Sequence, residues 1–309
     1  MSVGRIGRAG IIAAVREEDL LRSTLRTQWH LGAVKIAKLP GGMLSLAWEV
    51  TTADERYLVR LSAPAARPAV EAGLAAAEHL RGRGIAAGEP VRTLGGALTL
   101  ETSVGTLAVL RRVAGRTLRG GDPVDQQWWG DRLGAVHREL QGFAHPGLSR
   151  WNSLDPGAPH LAIEPWLRTA VTTAVTAATR LTVTDRLTYG VLHGDPAPED
   201  FVVDLATGRS GVLDCGASGT GPLVLDVAAA VAYAGGPDAA AELLDGYLAA
   251  GPVRQDELDA ALPVLLRFRW AVQADWSARR LTTCQRQPCR AEAREALRRA
   301  RAALESMPG

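Results

Sequence analysis

Apolar and polar positions in 33–61 fall into short β-rich segments, broken by Gly41-Gly42 and by the turn Ala53-Asp54-Glu55. Segments of that length between glycine and acid-containing turns predict two or three antiparallel strands. Apolar residues recur at helical spacing over 71–81, and 91–113 returns to strands with Gly95-Gly96 as a turn. Beyond Gly115 helical patterns dominate, at 128–141, 164–179, 223–234, 239–250, 257–281 and 291–306. One β-rich stretch, 191–213, interrupts them, and no repeat of fixed period is visible. The halves read as two unlike lobes, 1–113 and 114–309.

Composition narrows the class without naming a function. At 309 residues the chain exceeds the usual size of one hydrophobic core, and 47% apolar with 22% charged residues marks an ordinary globular protein. The net charge of +2 is spread out, and the densest basic run, 286–301, alternates with Glu292 and Glu295. That is the pattern of a solvated helix face, so no nucleic-acid partner is expected. Cys215, Cys284 and Cys289 are too few for a disulfide framework. Cys284 and Cys289 are expected to be two ordinary thiols near a helix end, and a cytoplasmic setting is the simplest. The apolar run 11–15 is too short for a signal peptide or a membrane span, so no membrane partner is expected either.

The chemistry concentrates in Val191-Leu192-His193-Gly194-Asp195-Pro196-Ala197-Pro198-Glu199-Asp200-Phe201, followed by Gly211-Val212-Leu213-Asp214-Cys215-Gly216. Two apolar runs flank a polar loop, and a further carboxylate follows the second run, which puts Asp195, Asp200 and Asp214 at strand ends or in loops. Phosphoryl transfer needs a carboxylate to orient a hydroxyl and take its proton, and oxygen ligands for magnesium. Three acids in this layout meet those needs. Surface loops are also rich in Asp for no mechanistic reason, and His-x-Asp alone does not separate the two readings.

The run resembles the catalytic and metal loops of the aminoglycoside phosphotransferase and choline kinase family, distant relatives of protein kinases. The family pattern is His-Gly-Asp-x-x-x-x-Asn, then an apolar strand and Ile-Asp-Trp-Gly. It is matched here by His193, Gly194 and Asp195, then by Leu213, Asp214 and Gly216. The family's later Gly-Asp-Pro-x-x-Asp-Leu-Ala segment is similar to 221–228, which keeps Asp226 without the first acid. The resemblance implies an α+β, two-lobed protein-kinase-like fold, with a small antiparallel-sheet N-lobe for the nucleotide and a larger, mainly helical C-lobe. The C-lobe would carry the catalytic and metal loops and the acceptor site. It implies an ATP-dependent O-phosphotransferase acting on a hydroxyl of a small molecule: an antibiotic, an amino alcohol or a biosynthetic intermediate. ATP or GTP and Mg2+ are the implied cofactors, and the oligomeric state is left open.

By the same resemblance Asp195 is the catalytic base and Asp214 the principal magnesium ligand, with Asp200 as a further metal ligand. His193 holds the loop, and Asp226 fixes it through hydrogen bonds. Asp200 departs from the usual Asn and adds negative charge near the phosphates, while Cys215 replaces Trp. In the first lobe Gly41, Gly42 and Ser45 correspond to the turn over the phosphates, where bare backbone can approach an anion. Arg60 falls where kinases place the strand lysine, and its implied partner is Glu71, with Glu78 as the alternative. Arg112 and Val113 would meet the base of the nucleotide.

For the acceptor, Arg269, Gln273 and Trp276 share one face of the helix at 262–280, while Asp275 and Arg279 read as a surface pair. Trp128, Trp129 and Trp166 read as core. Two rival readings remain. One is a catalytically impaired nucleotide-binding pseudokinase, motivated by Asp200 and Arg60. The other is a metal-dependent hydrolase built on His193 and Asp195, which lacks the further ligand spacing such sites need.

Overall fold

The computed structural model describes residues 8–39 and 45–307. The chain divides into two compact units. The first is 1–114 with 145–147 and 214–216; the second is 115–144, 148–213 and 217–309. Sequence reading drew a single boundary after 113 and left both loops on its far side. Instead, 214–216 clusters with the first unit, so Asp214 belongs with the strands.

In the first unit α1 (Arg8–Trp29) leads into β1 (Lys35–Lys38), β2 (Ser45–Thr51) and β3 (Arg56–Ser62). Next come α2 (Arg67–Gly82), β4 (Ala86–Ala87), β5 (Leu100–Thr102) and β6 (Gly105–Arg111). The sheet order is β1-β2-β3-β6-β5, and every pairing is antiparallel. The β2–β3 turn lies where sequence placed it, closed by Thr52 N–H donating to the Glu55 carbonyl at 2.9 Å. Arg60 sits in mid-sheet, opposite Ala47 on one side and Ala108 on the other. Helix α1 was not expected. It forms because Leu21, Leu25 and Trp29, four residues apart, lay one apolar stripe against Trp48, Val50, Val59, Leu107 and Val109. The Trp29 indole donates to the Val91 carbonyl at 2.7 Å, so its one polar group is satisfied. Leu74 of α2 packs with Ala108 and Leu110 in a second cluster.

The second unit begins with β7 (Arg116–Thr117), α3 (Pro123–Glu139), β8 (Ser149–Arg150) and α4 (Leu167–Thr184). The strands β9 (Tyr189–Leu192), β10 (Phe201–Asp204), β11 (Arg209–Val212) and β12 (Gly219–Pro222) follow. The unit closes with α5 (Val224–Ala234), α6 (Ala241–Ala250), α7 (Gln255–Thr283) and α8 (Gln287–Ser306). β10 pairs with β11 and β7, while β12 pairs antiparallel with β9 and parallel with β8. The Asp122 carboxylate accepts from the N–H groups of Val124 and Asp125, and Pro123 opens α3 where no donor is needed. Trp129, Phe201, Tyr247, Phe268 and Leu133 are fully buried. Trp166 is partly covered by the Arg301 guanidinium, 5.7 Å from its ring centre. Among the described residues no helix is long and apolar enough to cross a membrane.

The cysteine expectation is overturned. Cys284 and Cys289 form a disulfide that joins the end of α7 to the start of α8, with Cα atoms 6.4 Å apart. Spacing along the chain could not reveal this, because the helix–turn–helix corner brings the two thiols together. Cys215 is buried and takes no part in a disulfide.

Candidate active site

The turn at His193-Gly194 follows β9 and is held from beneath by one carboxylate. Asp226, in the first turn of α5, accepts from the backbone N–H of His193 at 2.5 Å and of Gly194 at 3.1 Å. The His137 imidazole lies 3.1 Å from Asp226 Oδ2 and 2.8 Å from the Tyr247 hydroxyl. A buried carboxylate is tolerated where several donors meet it, and Asp226, His137, His193 and Tyr247 are all buried. His193 Nε2 lies 2.8 Å from the Leu213 carbonyl, which ties the turn to the residue preceding Asp214. Gly194 has φ +92, and a Cβ there would stand 2.1 Å from the Ala217 carbonyl oxygen, so only glycine fits.

Asp195 stands on this turn with about half of its side chain exposed. Its Oδ1 accepts from the Tyr233 hydroxyl at 2.7 Å and from Arg269 Nη2 at 3.0 Å. Arg269 also donates to the Tyr233 oxygen at 3.3 Å and lies 5.6 Å from the centre of its ring. Burial pushes the Tyr233 phenol far above its ordinary value; the Arg269 charge opposes that rise and the Asp195 carboxylate adds to it. Tyr233 is therefore a donor at every ordinary pH. Sequence reading missed it because a phenol in an alanine-rich helix, 38 residues from Asp195, carries no local signal. Its neighbour Gly235, which ends α5 with φ +106, was the one nearby mark of a special turn.

Asp200 ends a short 3-10 turn, 198–200. Its N–H donates to the Ala197 carbonyl and its own carbonyl accepts from Leu213 N–H at 2.6 Å. Asp214, in the first unit, has φ +50, a left-handed conformation that Asp tolerates better than most residues. Both of its carboxylate oxygens are gripped by the two Nη atoms of Arg60. The expectation that Glu71 partners Arg60 gives way to this pair. Glu71 accepts from Arg67 Nε at 2.9 Å and from the Thr99 hydroxyl at 2.7 Å. Partial burial disfavours the Glu71 anion, but Thr99 and Arg67 outweigh it and hold the carboxyl below its ordinary range. Glu78 pairs with Arg92. α2 meets the Asp214 segment so closely that a Cβ on Gly73 would stand 2.2 Å from the Cys215 carbonyl oxygen.

Ser45 opens β2, opposite Ser62, while Gly41 and Gly42 lie outside the described residues. Arg112 binds the Glu49 carboxylate and donates its N–H to the Arg56 carbonyl at 3.1 Å; Val113 follows, half-buried. Gln273 accepts weakly from Arg269 and Trp276 carries the Arg280 guanidinium 4.7 Å from its ring centre. The expected Asp275–Arg279 pair forms at 3.4 Å, but Asp275 is buried rather than on the surface and also bonds His160 at 2.6 Å. A groove of about 620 Å³ in the second unit, lined by Gln141, Phe143, Arg150, Trp151 and Tyr189, contains none of the predicted site residues. Among the described residues no three acidic, His or Cys side chains gather as a ready-made metal cage.

An antiparallel-sheet unit and a mainly helical unit that carries the His193–Asp195 turn define a kinase-like fold. Residues 35–264 match the family model described as the phosphotransferase enzyme family, and the chain belongs to that family. Solved structures support the fold. One similar structure is a spectinomycin phosphotransferase in complex with ADP and spectinomycin, at TM-score 0.66 and 14% identity, over 94% of this chain and 98% of that one. A microcompartment-associated aminopropanol kinase reaches TM-score 0.73 at 16% identity, over 93% and 95% of the two chains. A choline/ethanolamine kinase family protein from Mesorhizobium loti gives TM-score 0.67 at 19% identity, over 94% and 95%. No curated protein sequence matches the chain.

Proposed function

We propose that the protein is an ATP-dependent O-phosphotransferase for a hydroxyl of a small molecule. The observation that carries this reading is a half-exposed carboxylate, Asp195, on a turn whose backbone is fixed by the buried Asp226. A group held in that way can accept a proton without reorganising. As the acceptor hydroxyl gives its proton to Asp195, its oxygen bonds the γ-phosphorus and the bond from phosphorus to the bridging oxygen breaks, releasing ADP.

The residues present fit a magnesium nucleotide. Asp214 offers a partly exposed hard-oxygen ligand, and Asp200 is the second acid that the family resemblance assigns to the metal. Magnesium is normally bound by one or two carboxylates together with substrate phosphates, so a full protein cage is not required. When bound, it supplies charge neutralisation for those phosphates. Arg60 presents a planar fork that matches phosphate as well as it matches the carboxylate it now holds. The similar proteins named above suggest amino alcohols and antibiotics as the first acceptors to try.

The test is nucleotide consumption, with ATP and GTP in parallel arms, against a library of small hydroxylated metabolites and antibiotics, with Asp195→Ala as control. Turnover that depends on an alcohol and is lost in Asp195→Ala is expected. Turnover untouched by that substitution would sink the base assignment. Nucleotide binding without any turnover would favour the alternative, an impaired nucleotide-binding pseudokinase.

A further inference from the structure

Asp195 is held asymmetrically. Both of its side-chain donors, the Tyr233 hydroxyl and Arg269 Nη2, converge on Oδ1. Among the described residues Oδ2 accepts nothing, although half of the side chain is exposed. Resting on the reading of Asp195 as the base, we infer that Tyr233 and Arg269 are positioning residues. They pin Oδ1 so that Oδ2 is the atom presented to the acceptor hydroxyl.

Three features set this arrangement apart from ordinary helix packing. First, α5 and α7 pack against each other and each buries apolar side chains, Val227 and Ala230 on α5 and Phe268 and Ala271 on α7, so the packing needs no carboxylate between them. Second, the donors form a closed set. Arg269 donates to Tyr233 and to Asp195, Tyr233 donates to Asp195, and the two bonds to Asp195 fix the same oxygen. Third, Arg269 is itself braced. Its side chain is only 14% exposed, stacks on the Tyr233 ring and reaches Gln273 Oε1 at 3.4 Å. Gln273 Nε2 reaches Ser277, whose hydroxyl is anchored on the Gln273 carbonyl at 2.7 Å.

A free Asp side chain can rotate about two bonds, and either oxygen can face the substrate. Two donors on one oxygen remove that freedom. Displacement by about 1 Å can cost a positioned group about a hundredfold in rate, so this restraint belongs to kcat rather than to substrate affinity. The face of α7 read from sequence as acceptor-binding therefore acts, at Arg269, on the base itself.

The test uses the full chain as wild type, Tyr233→Phe, Arg269→Gln, Arg269→Lys and Asp195→Asn. Consumption of MgATP is followed with water as acceptor and with the alcohol that the screen supplies, and the Asp195 rotamer is read from crystals. Tyr233→Phe removes one oxygen and keeps the ring, so it remains informative if an Arg269 variant fails to fold. Expected is a fall in kcat of about tenfold for Tyr233→Phe and more for Arg269→Gln, with both KM values within about twofold, and partial recovery in Arg269→Lys. The Tyr233→Phe crystal should show Asp195 in more than one rotamer. Unchanged kcat in both variants beside a dead Asp195→Asn overturns the inference and leaves the base assignment standing. Asp195→Asn turning over like wild type overturns the base assignment instead. Loss confined to the KM of the acceptor also overturns the inference, by making Arg269 a binding residue. Should no version turn over, a single shared Asp195 rotamer in wild type and variants overturns it, and a rotamer freed only in the variants supports it.

Discussion

Replacing Asp226 by Asn is the most direct probe of how the His193-Gly194 turn is held. The wild-type carboxylate is 2% exposed and offers Oδ2 to His193 N–H and to the His137 ring, and Oδ1 to Gly194 N–H. An amide retains one acceptor oxygen. In its cheaper orientation that oxygen replaces Oδ2, and the NH2 group then faces the Gly194 N–H, so one charge-assisted hydrogen bond is lost and two donors oppose each other. A lost hydrogen bond to a charged group is worth about 1.5–3 kcal/mol. Asp226→Ala strands all three donors and should cost about 3–5 kcal/mol. The assay is guanidinium unfolding followed by tryptophan fluorescence, beside MgATP turnover. Asp226→Asn should lower the midpoint and reduce kcat, because the turn that carries Asp195 loosens. A midpoint equal to wild type within about 0.5 kcal/mol would refute the reasoning, since such a cost is that of an exposed surface change.

Four further outcomes follow from the same geometry. Gly73→Ala should displace the 214–216 segment, lowering stability by about 1–3 kcal/mol and weakening nucleotide binding, as read by melting and by titration calorimetry. Arg60→Gln should weaken MgATP binding about tenfold or more, since one bidentate phosphate contact is worth more than 1.4 kcal/mol; equal affinity would remove Arg60 from the nucleotide site. On the acid side, the Arg116 fork holds the Asp125 carboxyl below its ordinary 3.8 against its burial, so that stabilisation is complete above pH 3.8 and is lost as pH falls through the folded value. Asp125→Asn should flatten that limb of the unfolding profile. On the alkaline side, burial raises the Tyr247 phenol above 10.0, so above that pH the unfolded chain binds fewer protons and stability falls by up to about 1.4 kcal/mol per pH unit. Tyr247→Phe should remove that slope.

What could be read in the sequence, and what could not, divides along a physical line. The helices of the second unit announced themselves through helix-length runs rich in apolar residues, and 223–234 and 239–250 agree with α5 and α6 to within two residues. The His193-Gly194-Asp195 run was legible because backbone constraint and chemistry coincide in consecutive residues, glycine included. Long-range pairing was not. Arg60 reaches Asp214 across 154 positions and Tyr233 reaches Asp195 across 38, and no periodicity records such meetings. Helix α1 was missed because its stripe of Leu21, Leu25 and Trp29 lies beyond the run 11–15 on which attention fell. The Cys284–Cys289 bridge depends on a turn geometry that spacing does not encode.

Each of the two principal acids is met by an arginine of its own unit: Asp195 by Arg269 and Asp214 by Arg60. The two pairs differ in a way that matches the roles proposed for their acids. Arg269 is almost buried, is braced by Tyr233 and Gln273, and engages one oxygen, which leaves the other for a proton; it has no reason to move during a cycle. Arg60 takes both oxygens of Asp214 side on, with the acid 39% exposed, so it balances the charge of the group proposed as the metal ligand. Lysine, a point charge, would satisfy a phosphate but could not span both carboxylate oxygens. Arginine at position 60 is thus consistent with a residue that has two successive bidentate partners, a carboxylate before loading and a phosphate after it.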